Sequence, residues 1–179
     1  MTVSRKMMIN VENFLRKHPA CDDWDIFALK FNSMTDVWNA MMRGEPDKGN
    51  AYDWALWVAG SQGVLSSRKR VDLALKFSGR IRHLMQTQLS IALLDIADQY
   101  ARNKATKGEL DAAICAIYDG CMDAYISLAD SSAHTVICAA YIPYGIYITA
   151  YLSAYASDNY LSEQAAQMDI LRAIPNPFE

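Results

Sequence analysis

The chain has 179 residues, 52% of them hydrophobic and 21% charged, with a formal net charge of −3. These values suit one globular domain with a sizeable core. They exclude the low-hydrophobicity, high-charge signature of a disordered chain and give non-specific nucleic-acid binding no support.

Apolar spacings of three and four dominate, as amphipathic helices require. Met7, Met8, Val11, Phe14 and Leu15 form one stripe, stopped at His18-Pro19 because proline cannot continue a helix interior. A short helix is expected over 22–30, with Asp22, Asp23 and Asp25 favoured by the dipole of its first turn. Ser33 reads as the N-cap of a helix carrying Val37, Trp38, Met41 and Met42. Residues 44–50 are the clearest loop, and 53–58 form a short aromatic helix broken over 60–63. Ser66-Ser67 caps a helix predicted to run to about Met85, with Val71, Ala74, Leu75, Ser78, Ile81, Leu84 and Met85 inward.

Another helix covers roughly 89–102. Thr106-Lys107-Gly108-Glu109 is a capping box. From it Leu110, Ile114, Ile117, Cys121, Ala124 and Leu128 continue as one apolar seam. A tyrosine-rich helix comes next, with a kink expected at Pro143. The last helix, over about 162–173, turns Leu161, Ala165, Met168, Ile170 and Leu171 inward and leaves Phe178 as an anchor. No strand-like alternation occurs. The fold expected is all-α, a single-domain helical bundle of about seven to nine helices over residues 1–179.

Residues 135–157 contain no Asp, Glu, Lys or Arg and are long enough to cross a bilayer. Tyr141, Tyr144, Tyr147, Tyr151 and Tyr155 run through their middle, however, and tyrosine belongs at the membrane interface. A buried bundle helix is therefore the preferred reading, and no membrane association is expected. Cys21, Cys115, Cys121 and Cys138 form no C-x-x-C pair and suit a reducing, cytoplasmic setting. The N-terminus has no apolar run of the kind a signal peptide needs.

The sequence carries no recognisable catalytic pattern. His18, His83 and His134 fall in different segments, and no metalloprotease, nucleophile-elbow, Walker or dinucleotide-binding motif occurs. Asp119 and Asp123 share a helical face and could in principle hold a metal, but outward aspartates are ordinarily solvated. Neither a metal nor another cofactor is expected.

Two constellations stand out. Charge is uneven, with 13 Lys and Arg against 9 Asp and Glu in residues 1–90 and 4 against 11 in 91–179. Arg68, Lys69, Arg70, Lys76, Arg80 and Arg82 gather six of these cations within fifteen residues. Such a run is either a solvated face matched to the acidic half or a seat for an acidic protein or anionic ligand. The tyrosines, spaced three, three, four and four, lie along one side of a helix, either as core or lining a pocket. The candidate binding residues are Arg68, Arg70, Lys76, Arg80 and Arg82 with Tyr144, Tyr147 and Tyr151. Trp24, Trp38, Trp54 and Trp57 are expected in the core.

Several segments resemble a group of small helical phage and bacterial proteins similar to immunity proteins of toxin systems. They are Ala20-Cys21 with Trp24, Val37-Trp38, Asp53-Trp54-Ala55-Leu56-Trp57, Arg68-Lys69-Arg70, the run over 105–113 and the closing run over 170–178. The tyrosine-rich helix departs from that group, which is Ala-rich with interspersed Arg there. The resemblance transfers no catalytic residue. It implies a non-enzymatic protein that neutralises a macromolecular partner, a toxin or a defence factor, by stoichiometric association. The alternative is a small-molecule binder that sequesters a nucleotide-like anion between the tyrosines and the basic helix.

Overall fold

The computed structural model describes residues 10–19, 22–46, 50–120, 127–142 and 144–179. Within them the helices expected to open at Ser33, Ser66 and Thr106 do so. Helix α1 spans Val11–Lys17 and α2 Asp22–Ala28. Ser33 Oγ accepts from the Asp36 N–H at 3.2 Å and opens α3 (Met34–Arg43), which ends on Gly44 at φ 77°. That left-handed turn costs glycine little. Helix α4 spans Asn50–Gly60 and outruns the 53–58 expected. Ser66 caps α5 (Ser67–Arg80).

Helix α5 is shorter than the spacing predicts. Ile81 closes it and residues 82–84 tighten into a single 3-10 turn, so Leu84 and Met85 are half-buried rather than inward. Helix α6 spans Gln88–Ala101. The capping box at the head of α7 (Lys107–Gly120) forms reciprocally. Glu109 Oε2 accepts from the Thr106 N–H at 2.7 Å, and Thr106 Oγ1 from the Glu109 N–H at 3.2 Å.

The seam from Leu110 to Leu128 is not one helix. Ser127 caps a separate helix, α8 (Leu128–Cys138), and Leu128 is exposed. Ile117, Cys121 and Ala124 of that seam lie outside the described side chains. The tyrosine-rich stretch is also divided, by a turn over 139–142, before α9 (Gly145–Ala156) begins. Pro143, the expected kink, lies outside the described residues, as do Met7 and Met8. With α10 (Tyr160–Arg172) this gives ten α-helices and no strand among the described residues. None of these helices is long and apolar enough to cross a membrane.

Helices α8 and α9 pack most extensively and run antiparallel. Thr135 meets Thr149, and Ser132 meets Ser153, with hydroxyl oxygens 3.0 and 2.8 Å apart. Helix α5 lies across this hairpin and also packs on α6, while α4 and α10 close the other side of α9. One contiguous core runs from Val11 to Phe178, filled by Trp24, Trp38, Phe77, Leu93 and Ile137. Phe178 does anchor the tail, its ring edge-on to Phe14 at 5.8 Å. Ala165 does not turn inward, and neither does Leu161. It is among the most exposed apolar side chains, and the buried face of α10 is Glu163, Gln167, Met168 and Leu171.

Asp130, at the first turn of α8, is the buried hinge between α8 and α6. Its carboxylate accepts from Ser127 Oγ at 2.6 Å, the Thr87 N–H and Thr87 Oγ1 at 3.2 Å, and the Gln86 N–H at 3.3 Å. Burial alone would raise its pKa, but donors from Ser127, Ser90, Thr87 and Gln86 outweigh it and hold the carboxyl below its ordinary 3.8. The stabilisation is therefore complete above pH 3.8 and is lost as pH falls through the lower folded-state value. Asp130→Asn is expected to cost about 2 kcal/mol at pH 7, a charge-assisted bond's worth. The gap from wild type should close in urea titrations below pH 3.8. His134, held below 6.5 by burial, adds a separate loss that starts at higher pH.

Candidate functional site

The basic helix does not form a shared seat. Arg68 stacks over the Tyr100 ring at 4.3 Å and donates to the Tyr100 carbonyl. Arg70 is buried and donates to the carbonyls of Leu65, Ala139 and Ala140 at 2.9, 2.8 and 3.1 Å. Lys76 pairs with Asp72 and Arg82 with Asp95, both at 2.9 Å. Arg80 pairs with Glu163 at 2.7 Å. The five cations of the expected site thus engage separate neighbours, carbonyls or carboxylates of the chain itself. Only Arg80 reaches the tyrosine region.

It does so through a polar chain, buried from Glu163 inward, that spacing does not reveal. Glu163 accepts from Arg80 Nε and from Gln167 Nε2, the latter at 3.2 Å. Gln167, fully buried, also donates to the Ala150 carbonyl and accepts from the Tyr52 hydroxyl. Four helices, α4, α5, α9 and α10, are tied at this one point. Desolvation first, and then the negative charge of Asp53, pushes the Tyr52 phenol far above its ordinary value, so it stays a donor. The available signal was Glu163 and Gln167 four residues apart beside Met168 and Leu171, two polar groups in step with an apolar face.

The tyrosines face outward for the most part. Tyr141 is exposed, donates to Asp111 and carries Lys107 over its ring at 4.6 Å. Tyr144, Tyr151 and Tyr155 are exposed, and Tyr147 is half-buried. Tyr147 stacks on Tyr151 at 6.1 Å, Tyr151 packs on Tyr155 at 4.5 Å, and Tyr155 on Tyr160 at 4.7 Å. The result is a continuous aromatic ladder from α9 onto α10. The Tyr151 hydroxyl donates to that of Tyr155 at 2.8 Å, which raises its pKa to about 12.

Next to the ladder, α1, α4 and the start of α9 enclose a cleft of about 630 Å³. Trp54 and Trp57 form its walls with Tyr144 and Tyr147, and Lys17, His18, Asp53 and Gln62 supply its polar groups. Trp24 and Trp38 are buried as expected, but Trp54 and Trp57 are only half-buried because they face this space. Partial burial raises the Asp53 carboxyl, and its charge acts in turn on Tyr52, Tyr147 and Tyr160.

No set of three or more His, Cys, Asp or Glu side chains among the described residues could hold a metal. Asp123 and the side chains of Tyr118 and Asp119 lie outside the described part, as do Cys21, Cys121 and Tyr125. His134 sits half-buried on α8 with a lowered pKa from desolvation, which Asp130 partly opposes. Cys115 and Cys138 are free. No protein-family model matches the chain, and no curated protein or solved structure does.

Proposed function

We propose that this chain is a non-enzymatic binding protein of inhibitor or immunity type, which neutralises a protein partner by stoichiometric association through the outer face of α9. The supporting observation is that face itself. Tyr144, Ile148, Tyr151 and Tyr155 recur at spacings of four, three and four and expose 61%, 37%, 41% and 51% of their surface. No charged residue interrupts them along α9, and Leu161, at the start of α10, is 74% exposed. Folded proteins rarely expose an uninterrupted apolar patch without using it. Tyrosine carries much of the energy in protein interfaces because it buries a large rigid area and keeps a hydroxyl for pairing. The partner class, a toxin or a defence factor, rests on the immunity-protein resemblance, and the reducing cytoplasm is the matching compartment.

The nucleotide-like anion is the weaker reading. The cations that would hold it already engage carbonyls and carboxylates, and freeing Arg70 or Arg80 would leave buried acceptors unmet.

The test is capture from extract with the wild-type chain and with a Tyr151→Ala/Tyr155→Ala/Leu161→Ser variant of unchanged melting temperature. The captured protein is then titrated by calorimetry. The expected result is one-to-one association with wild type, weakened in the variant by about a hundredfold, two tyrosine anchors' worth. Equal binding by the variant, or turnover of the captured molecule, would refute the reading.

A further inference from the structure

The cleft beside the aromatic ladder has features that the partner-binding reading does not use. Its volume of about 630 Å³ is that of a small-molecule site. Its walls are braced from behind. Trp54 packs against Trp24 at 5.4 Å and Phe27 at 5.3 Å, and Trp57 against Trp24 at 5.3 Å and Phe14 at 5.9 Å. A ligand would therefore meet indoles already held in place, and little ordering would be required on binding.

The polar groups are unequal in the field they present. Asp53 opens into the cleft, is partly desolvated, and has no hydrogen bond or ion pair among the described residues. His18 packs on Phe14 at 4.6 Å, and burial together with Lys17 holds its pKa below 6.5, so it is neutral at pH 7. Lys17 is exposed at the end of α1 and makes no ion pair with Asp53 among the described residues. Asp53 is exposed as well, so solvent screens both charges, but the aspartate is carried on α4 beside the two indole walls and part of its surface is desolvated. Indole rings add the best aromatic surface for a cation, because their faces are the negative end of the ring quadrupole. An anion would gain nothing from those faces and would be repelled by Asp53.

We propose that this cleft binds an organic cation, a guanidinium or alkylammonium group on a flat or apolar body, packed against Trp54 and Trp57 with Asp53 as its counter-charge. The inference stands apart from the docking role of α9 and survives its failure.

Three isosteric probes separate charge from shape: benzamidine, benzamide and benzoate. Each is titrated into the full chain and followed by tryptophan fluorescence and by the indole N–H signals in NMR spectra. Benzamidine is expected to bind at least about tenfold more tightly than benzamide, with benzoate weakest. Asp53→Asn should bring benzamidine down to the benzamide level without moving benzamide itself. If that variant does not fold, wild type gives the same information. Benzamidine affinity should then fall as acid protonates Asp53, while benzamide affinity stays flat. Equal affinity for the three probes, preference for benzoate or AMP, or an Asp53→Asn variant that binds benzamidine as wild type does would overturn the assignment.

Discussion

Replacing Arg70 by Met is expected to lower the unfolding free energy by about 3 kcal/mol, among the largest losses available from one side chain. The guanidinium is buried, yet no carboxylate answers it. It is held instead by three main-chain carbonyls, one at the end of the loop before α5 and two at the turn between α8 and α9, with Ser67 Oγ at 3.5 Å. The last carbonyls of a helix have no partners inside it, so Arg70 caps the end of α8 from a distance of about seventy residues. Desolvation lowers its pKa, but an arginine remains charged throughout the working range. Methionine keeps the apolar stem and strands the carbonyls without donors. Lysine supplies a charge but not a planar fork, so Arg70→Lys should recover less than half of the loss. Lys69→Met, on the exposed neighbour, should stay within about 0.5 kcal/mol of wild type. Urea denaturation of the three variants, with amide exchange over 139–142, checks the whole series. A wild-type midpoint for Arg70→Met would refute the capping role.

Arg70 also shows where reading the sequence reaches its limit. Arg68-Lys69-Arg70 looks like a solvated run, and the charge of the segment suggests a ligand seat. The helical phase carries the correct signal, since Arg70, Ala74, Phe77 and Ile81 fall at spacings of four, three and four and all are buried. A cation in an apolar phase is a candidate for a buried cap, and that inference needs no structure. The caps at Ser33, Ser66 and Thr106–Glu109 were legible for the opposite reason. Their partners lie three residues away, so local sequence contains both ends of each bond.

The elements that local sequence does not reveal depend on distant partners. Tyr52 and Gln167 stand 115 residues apart, and nothing near either names the other. An apolar residue on a helix is expected to be buried, and on that ground alone Leu161 points inward. The phase of α10 is set instead by Glu163 and Gln167, whose hydrogen bonds to α4, α5 and α9 make a polar pair the inward face. The same happens in reverse on α9. Apart from Ile146, its buried side is made of small residues, Gly145, Thr149, Ala150, Ser153 and Ala154, and the large aromatic ones mostly face out. A hydrophobicity pattern scores that helix as apolar all round and cannot choose its inner face, because close helix approach selects size rather than polarity.

Gly145→Ala should show how tight that approach is. A methyl group built at Gly145 would stand 2.4 Å from the Ala139 nitrogen, 2.5 Å from its Cα and 2.7 Å from the Cys138 carbonyl carbon. All three are backbone atoms, so no side-chain rotation relieves the overlap. The α8–α9 turn must open, and the cost expected is about 3 kcal/mol, the upper end of ordinary overpacking. Gly79, in the last turn of α5, is the matched control. Nothing lies within 4 Å of its added methyl, and alanine there should stabilise by about 0.5–1 kcal/mol through helix propensity. Opposite signs from one chemical change would separate packing from propensity in paired thermal melts. A neutral Gly145→Ala would mean that the hairpin is looser than these distances. The strain has a second reading at the cleft, because Tyr144 and Tyr147 flank Gly145 and form one of its walls. Displacing the start of α9 moves that wall relative to Trp54 and Trp57, which stay fixed by Trp24. Benzamidine affinity of a folded Gly145→Ala chain should therefore fall even where Asp53 is untouched.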